Sequence, residues 1–435
     1  MTLPELLSDP GLAFEKPRSL YVHVPFCASR CAYCDFHSFP RSSIPPAFQK
    51  RYVEVVLKRA ETLSRVLSAS YETLYIGGGT PTVLSDESFD QLISGLGSLF
   101  GSSVREWTVE ANPESLSEGK IETLLANSVS RISIGIQSMD EGELSILGRK
   151  ASLADNRRAI ALAVESGMAV SADLIGGIPF RPEEADKGKT SRPPLSETAA
   201  FLAESGIGHI SIYDLVVEEG TAIKKLLDEG KLVSAEEDSS YEERKEAERV
   251  IGLRGFARYE VSNYALPGRE CLHSMTYWSM NSYLGVGSGA VSTLNRSGAL
   301  SATLKAAPQG NDGCSALRIE EGRDLALYAE APDDAAVTTW IDRKDSAFEW
   351  VMMALRTKGG LDEKRFESRF GLRPREILAG TIHTWESLFS ESRPGYLGLN
   401  DKGLDILNRI LVDALEEMDI FFKPKTADRI RATRD

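Results

Sequence analysis

Short runs rich in β-branched and aromatic residues alternate, through the first half of the chain, with longer stretches whose apolar residues return every three or four positions. Six of the short runs predict strands: Leu20–Phe26, Thr73–Ile76, Trp107–Ala111, Arg131–Gln137, Val170–Ile175 and His209–Leu215. Stretches between them, such as Phe89–Phe100 and Asp155–Ser166, predict amphipathic helices. Strand–helix alternation implies right-handed crossovers and a parallel sheet. Six units suit an α/β fold built as a partial (β/α)6, TIM-like barrel better than a closed eightfold one. Function in such folds sits on the loops that follow the strands.

Two stretches break the alternation. Arg181–Pro194 is charged and Pro-containing and reads as an exposed insertion; Ala306–Gly313 is turn-rich and reads as the end of the first domain. From Phe348 onward the pattern is mainly helical, with a Gly-Gly break and a short apolar element, which predicts a small winged-helix-like domain. The expected division is an N-terminal extension over 1–18, a core over 19–305, an irregular linker over 306–346 and a C-terminal helical domain over 347–435, ending in a polar tail.

Length and composition fit this division. The chain has 435 residues, enough for two or three domains at about 150 residues each. Its net charge of −14 argues against nonspecific binding of a nucleic-acid backbone, so no nucleic acid is expected as a partner. No run of about 18 apolar residues appears, and the N-terminus lacks the basic start and apolar stretch of a secretory signal. Five cysteines, an odd number, do not make a disulfide framework, so a reducing, cytoplasmic setting is expected.

Three of those cysteines carry the sharpest chemical signal. Cys27, Cys31 and Cys34 are spaced C-x3-C-x2-C directly after the first strand. Three thiolates on one short loop can bind three irons of a [4Fe–4S] cluster and leave the fourth open to a small molecule. The competing readings are three core cysteines, or a zinc site completed by His23 or His37. Further polar groups fall at later strand ends. Gly77-Gly78-Gly79-Thr80 lets backbone approach a ligand closely. Glu110 could hold ribose hydroxyls, and Gln137 and Ser138 offer a donor and an acceptor. Arg149 could clamp a carboxylate. Asp173, inside an apolar strand, needs a partner, and Arg149 pairing with it or with the ligand is the natural candidate.

The cysteine spacing is the signature of the radical S-adenosylmethionine (SAM) superfamily, which implies that the open iron chelates SAM and that an electron could cleave it to a 5′-deoxyadenosyl radical. In order, YVHVPFC, GGGTPT, ExNP, RISIGIQS, LGR, DLIGGIP, SIYDLVVEEGT, YEVSNYA and CLHSMTYWSMNSYLGVGSGAVS resemble the oxygen-independent coproporphyrinogen III dehydrogenase family and its heme-chaperone relatives, the HemW type. The resemblance runs from about Tyr21 to Ser292. It implies SAM contacts from Tyr21, Gly78, Gly79, Thr80, Glu110, Gln137, Arg149, Asp173, Tyr213 and Val216.

Two features favour the chaperone branch. The dehydrogenases carry a fourth cysteine where this chain has Phe36, and the chaperones carry HNxxYW where this chain has His273-Ser274-Met275-Thr276-Tyr277-Trp278. His273 offers an imidazole as axial ligand to heme iron, with Tyr277 and Trp278 as aromatic walls and Cys271 as a second axial candidate. A core histidine beside two core aromatics is the alternative. Tyr283–Ala290 (YLGVGSGA) would bring backbone close to a flat ligand or simply make a turn. Departures from the family are Ser274 for Asn, Ala151 where a His is usual, and Gly176-Gly177 for Tyr-Gly. The expected function is a heme chaperone with a SAM-liganded [4Fe–4S] cluster that delivers heme to acceptor proteins such as respiratory cytochromes. The alternative is a coproporphyrinogen III dehydrogenase. An electron donor is the further expected partner, and any peripheral membrane contact is expected to run through the acceptors.

Overall fold

A computed structural model describes residues 2–185, 193–297 and 314–423. Half of the expected insertion (186–192), the turn-rich run at 306–313 and the tail from 424 lie outside the described residues. Contacts divide the chain into two compact units: one of Met1–Tyr277, Asn281–Asn295 and Arg318–Thr339, the other of Trp278–Met280, Arg296–Leu317 and Trp340–Asp435.

The first unit is built on six parallel strands: β1 (Ser19–Val24), β2 (Thr73–Gly78), β3 (Glu106–Ala111), β4 (Arg131–Gln137), β5 (Ala169–Gly176) and β6 (His209–Asp214). They lie in chain order across the sheet. The crossovers carry helices α1 (Pro46–Val66), α2 (Asp86–Phe100), α3 (Glu118–Ala126), α4 (Leu153–Glu165) and α5 (Leu195–Glu204), and α6 (Glu237–Gly252) follows β6. Each strand lies within two residues of its sequence expectation. Helix starts follow local chemistry: Ser85, Ser117 and Ser152 accept from backbone N–H groups at the starts of α2, α3 and α4.

The barrel stays open because other strands occupy both edges. Beyond β6 comes β8 (Asn263–Ala265), antiparallel to it, then β7 (Ala257–Arg258), antiparallel to β8; beyond β1 comes β9 (Tyr283–Val286), parallel to it, then β10 (Val291–Asn295). Strand alternation sorts the side chains. Leu20, Val22, Leu74, Ile76, Val109, Ile132, Ile134, Leu174 and Ile210 form a fully buried apolar set. The intervening positions, Tyr21, His23, Tyr75, Glu110, Gln137 and Asp173 among them, hold the polar groups of the opposite face.

The stretch expected to be an irregular linker is partly regular. β11 (Cys314–Glu320) and β12 (Val337–Asp342) follow β10 in the strand order, and helix Leu325–Glu330 lies between them. CSALRIE buries Leu317 and Ile319 completely. That burial makes it a strand, which the turn-rich run just before it obscures in the sequence.

The second unit contains α8 (Arg343–Ala354), α9 (Glu363–Phe370) and α10 (Leu407–Phe422), numbered after α7 (Leu272–Trp278). A three-stranded antiparallel sheet of Leu361–Asp362, Tyr396–Leu399 and Phe389–Ser390 forms the wing. Its core joins Trp350, Phe366 and Phe370, with ring centroids 4.7–5.4 Å apart.

Candidate functional site: a cysteine-lined cleft at the strand ends

The cysteine loop leaves β1 at Pro25 and returns at Phe39, where Phe26–Cys27 pairs with Phe39–Pro40 and closes its base. Ala32 ties the middle of the loop: its N–H donates to the Leu147 carbonyl at 2.8 Å and its carbonyl accepts from Ile223 at 2.9 Å. Tyr33 packs beside the apolar cluster of Ile146, Leu147, Ile175 and Ile178. All three cysteines are free thiols and half-buried.

They line a cleft of about 150 Å³, open to solvent, together with Gly78, Gly79, Thr80, Glu110, Gln137, Arg149 and Asp173. Phe36, 66% exposed, stands at the position of the absent fourth cysteine and also borders the cleft. Tyr21, Tyr213 and Val216 do not line it. Tyr21 is turned to His23, its hydroxyl 3.0 Å from Nδ1, while Tyr213, near the end of β6, and Val216, just after it, are exposed.

Polar side chains organise the cleft walls. Thr80 Oγ1 donates to Cys27 Sγ at 3.8 Å, and Arg149 Nη1 donates to Cys31 Sγ at 3.6 Å. Burial raises the Cys27 and Cys34 thiols above their ordinary pKa, with Thr80 acting against that at Cys27. Burial opposes the Arg149 charge, yet Cys31 and Tyr33 beside it favour the cation and leave its pKa raised. Glu110 accepts from the Tyr75 hydroxyl at 2.7 Å and from the Gly78 N–H at 3.0 Å. Burial, with Asp173 nearby adding to it, holds the Glu110 carboxyl at about 7.

Arg149 and Asp173 do not bond to one another. Arg149 Nη2 donates to Asn112 Oδ1 at 2.9 Å and to the Gly135 carbonyl at 2.6 Å, and Asp173 is bonded to Ser211. Asn112 is the residue that sequence reasoning passed over. Its Nδ2 donates to Thr80 Oγ1 at 3.0 Å, so one amide joins the two groups that touch cysteine sulfurs. Its place in the ExNP word at the end of β3 was the available signal. Gln137 closes β4 in the left-handed region, φ 67°, where the β4–β5 register shifts.

Zinc completed by a histidine does not fit, because neither His23 nor His37 lines the cleft with the thiols. His23 has Nδ1 at Tyr21 and Nε2 at the His37 carbonyl, and His37 Nε2 lies 3.0 Å from Ser288 Oγ. A [4Fe–4S] cluster fits the donor set: three thiols on one loop share one cleft, two of them already accept hydrogen bonds, and Arg149 Nε is buried without a partner among the described residues.

The heme-motif residues lie elsewhere. In α7, His273 and Tyr277 are one helical turn apart on one face. His273 is 1% exposed, and both ring nitrogens are engaged: Nδ1 with Thr73 Oγ1 at 2.9 Å and Nε2 with the Tyr277 hydroxyl at 2.8 Å. Its backbone N–H donates to Glu106 at 2.9 Å, and burial lowers its pKa to about 3. His273 can therefore reach iron only by giving up one of those partners. Cys271 is buried with Sγ 3.6 Å from Glu106 Oε1. Trp278 belongs to the second unit, where the Arg356 guanidinium lies 5.7 Å from its ring centre.

The radical SAM superfamily profile matches residues 21–187, and the HemN C-terminal domain profile matches residues 341–406. The heme chaperone HemW of Lactococcus lactis is 30% identical over 405 residues, 91% of this chain and 97% of the relative.

The chain belongs to the heme chaperone HemW family.

The HemW protein of Bacillus subtilis is 29% identical over 359 residues, covering 81% of this chain and 87% of its own. Among solved structures, the radical SAM enzyme coproporphyrinogen III oxidase (HemN) of Escherichia coli superposes with a TM-score of 0.71. That match spans 96% of this chain and 93% of the other at 17% identity, and it shows the shared fold.

Proposed function

We propose that this protein is a heme chaperone that binds heme and a SAM-liganded [4Fe–4S] cluster and delivers heme to acceptor proteins. The observation that carries the reading is the HemW-family match along nearly the whole chain, 97% of the Lactococcus relative. Phe36 in place of the dehydrogenases' extra cysteine supports the chaperone over the coproporphyrinogen dehydrogenase alternative.

Cys27, Cys31 and Cys34 would hold the cluster. When bound, it would supply an open iron for the amino and carboxylate groups of SAM and an electron for its cleavage. Thr80 and Arg149 stabilise the thiolates by donating to them. Glu110 would take the ribose hydroxyls, with Tyr75 and the Gly78 N–H holding its carboxylate in place. Gln137 and Asp173 complete the polar wall. His273 would offer Nε2 to heme iron on release from Tyr277.

Respiratory cytochromes are the proposed acceptors, and a one-electron donor the proposed reductant. The cytoplasm is the proposed site of action; among the described residues no helix is long and apolar enough to cross a membrane. Anaerobic reconstitution should yield about four irons and four sulfides per chain. Adding SAM should perturb the cluster's electron paramagnetic resonance signal, and heme should titrate onto the same sample. A reconstituted protein that takes up no heme would refute the reading.

A further inference from the structure

The word YLGVGSGA has a use in the fold that neither SAM nor heme binding requires. It runs through β9 into the turn 287–290, where two of its residues meet the return arm of the cysteine loop and a third meets β1. Gly289, at φ 81°, faces the His37 ring: a Cβ there would stand 2.7 Å from His37 Cδ2. Gly287, at φ 104°, faces the His23 carbonyl, which a Cβ would meet at 2.3 Å. Ser288, between them, lies with Oγ 3.0 Å from His37 Nε2.

The direction of that last bond follows from the partners. Ser288 Oγ has one proton, and it goes to the Gly322 carbonyl at 2.8 Å. Oγ therefore accepts from His37 Nε2–H. The His37 carbonyl in turn accepts from His23 Nε2–H at 3.1 Å, and the lone pair of His23 Nδ1 receives the Tyr21 hydroxyl at 3.0 Å. Tyr52 ties the same two segments, donating to the His23 carbonyl at 2.9 Å while accepting from the Ser288 N–H at 2.9 Å. His23 is seated on the glycine loop as well: a Cβ on Gly78 would lie 2.2 Å from His23 Cε1.

The loop is thus held differently along its length. Its middle is fixed by backbone bonds at Ala32. On the returning arm, Asp35 and Phe36 are exposed, and His37 is the first residue whose side chain grips another segment. Phe39 closes on it edge-to-face, ring centroids 5.1 Å apart.

We propose that His37 is a positioning residue for the cluster: clamped by Ser288 and seated on Gly289, it fixes the arm that carries Cys34. This rests on the cluster assignment above. YLGVGSGA is then a clamp for two histidines, which is why it needs glycine at 287 and 289.

The test is anaerobic reconstitution of wild type, His37→Ala, His37→Gln and Ser288→Ala, followed by iron release to a chelator and measurement of the cluster's reduction midpoint potential. Circular dichroism of each apo protein checks that it folds. His37→Ala should lose iron about tenfold faster than wild type, with a shifted potential, or fail to retain the cluster. Ser288→Ala should behave in the same direction. His37→Gln, whose amide can still donate to Ser288, should return release close to the wild-type rate. Wild-type release and potential in both His37→Ala and Ser288→Ala, or a glutamine that restores nothing, would overturn the proposal. A wild type that takes up no four-iron cluster would fail the underlying assignment instead, which keeps the two failures apart.

Discussion

Three thiols and one buried carboxylate set the chemistry of the cleft. Replacing any one of Cys27, Cys31 or Cys34 with alanine should abolish the cluster by iron content and visible absorbance. Cys271→Ala and Cys314→Ala should retain it, because neither lines the cleft. Glu110 links site chemistry to stability. Its folded carboxyl sits at about 7 because burial disfavours the charge. An acid whose pKa is raised on folding binds its proton more tightly in the native state. The contribution is present in full below the unfolded pKa and is lost as pH rises through about 7. The cofactor-free protein should therefore lose roughly 3 kcal/mol of stability over that window from this group. Glu110→Gln should flatten that part of the profile in chemical denaturation at stepped pH; an unchanged slope would remove Glu110 as its source. Glu110→Ala should also lower SAM affinity about tenfold or more, the effect of losing a charge-assisted hydrogen bond. Motif words at strand ends supplied most of the residues that the structure brings to the cleft. Asn112 stood inside such a word, yet its task of joining Thr80 to Arg149 depends on distances between strand ends that spacing along the chain does not encode. For the same reason, Arg149 and Asp173 were natural partners by charge but are satisfied by Gly135, Asn112 and Ser211 instead.

The strands and helices were the most readable level. A buried parallel strand favours β-branched and other apolar residues, and each of the six core strands carries at least two β-branched ones. The elements at 314–342 were harder to read because their apolar runs follow a turn-rich segment. The end of β4 shows how an element can be bent for its site. Gln137 holds a left-handed conformation, which costs a non-glycine residue of order 1 kcal/mol or more and persists where the surroundings enforce it. Gln137→Gly should relieve that cost, leaving the apo protein as stable as wild type or slightly more so in denaturant melts, while weakening SAM binding. A clear loss of stability together with full SAM affinity would mean that the side chain serves the fold alone. In α7, the bond between His273 and Tyr277 restrains the proposed heme ligand. Tyr277→Phe removes a hydrogen bond worth about 1 kcal/mol, so heme affinity should rise several-fold, and His273→Ala should shift the Soret band. No change in either variant would place the axial ligand elsewhere.

For the molecule as a whole, two levels of information met. The ordered words from Tyr21 to Ser292 carried the family, and the strand order and the HemW relatives agree with them. The heme contacts were the least legible part. An HxxxY pair on a helix reads the same whether it faces a ligand or a neighbouring strand, and here the histidine is bonded to Thr73. The central claim is that a radical SAM fold serves as a heme carrier in this chain. The most direct measurement is a single anaerobic sample, reconstituted to about four irons per chain, given coproporphyrinogen III with SAM and reductant, and titrated in parallel with heme. Stable heme binding and no conversion of the porphyrinogen are the expected result. Sustained porphyrinogen turnover with no heme retained would contradict it.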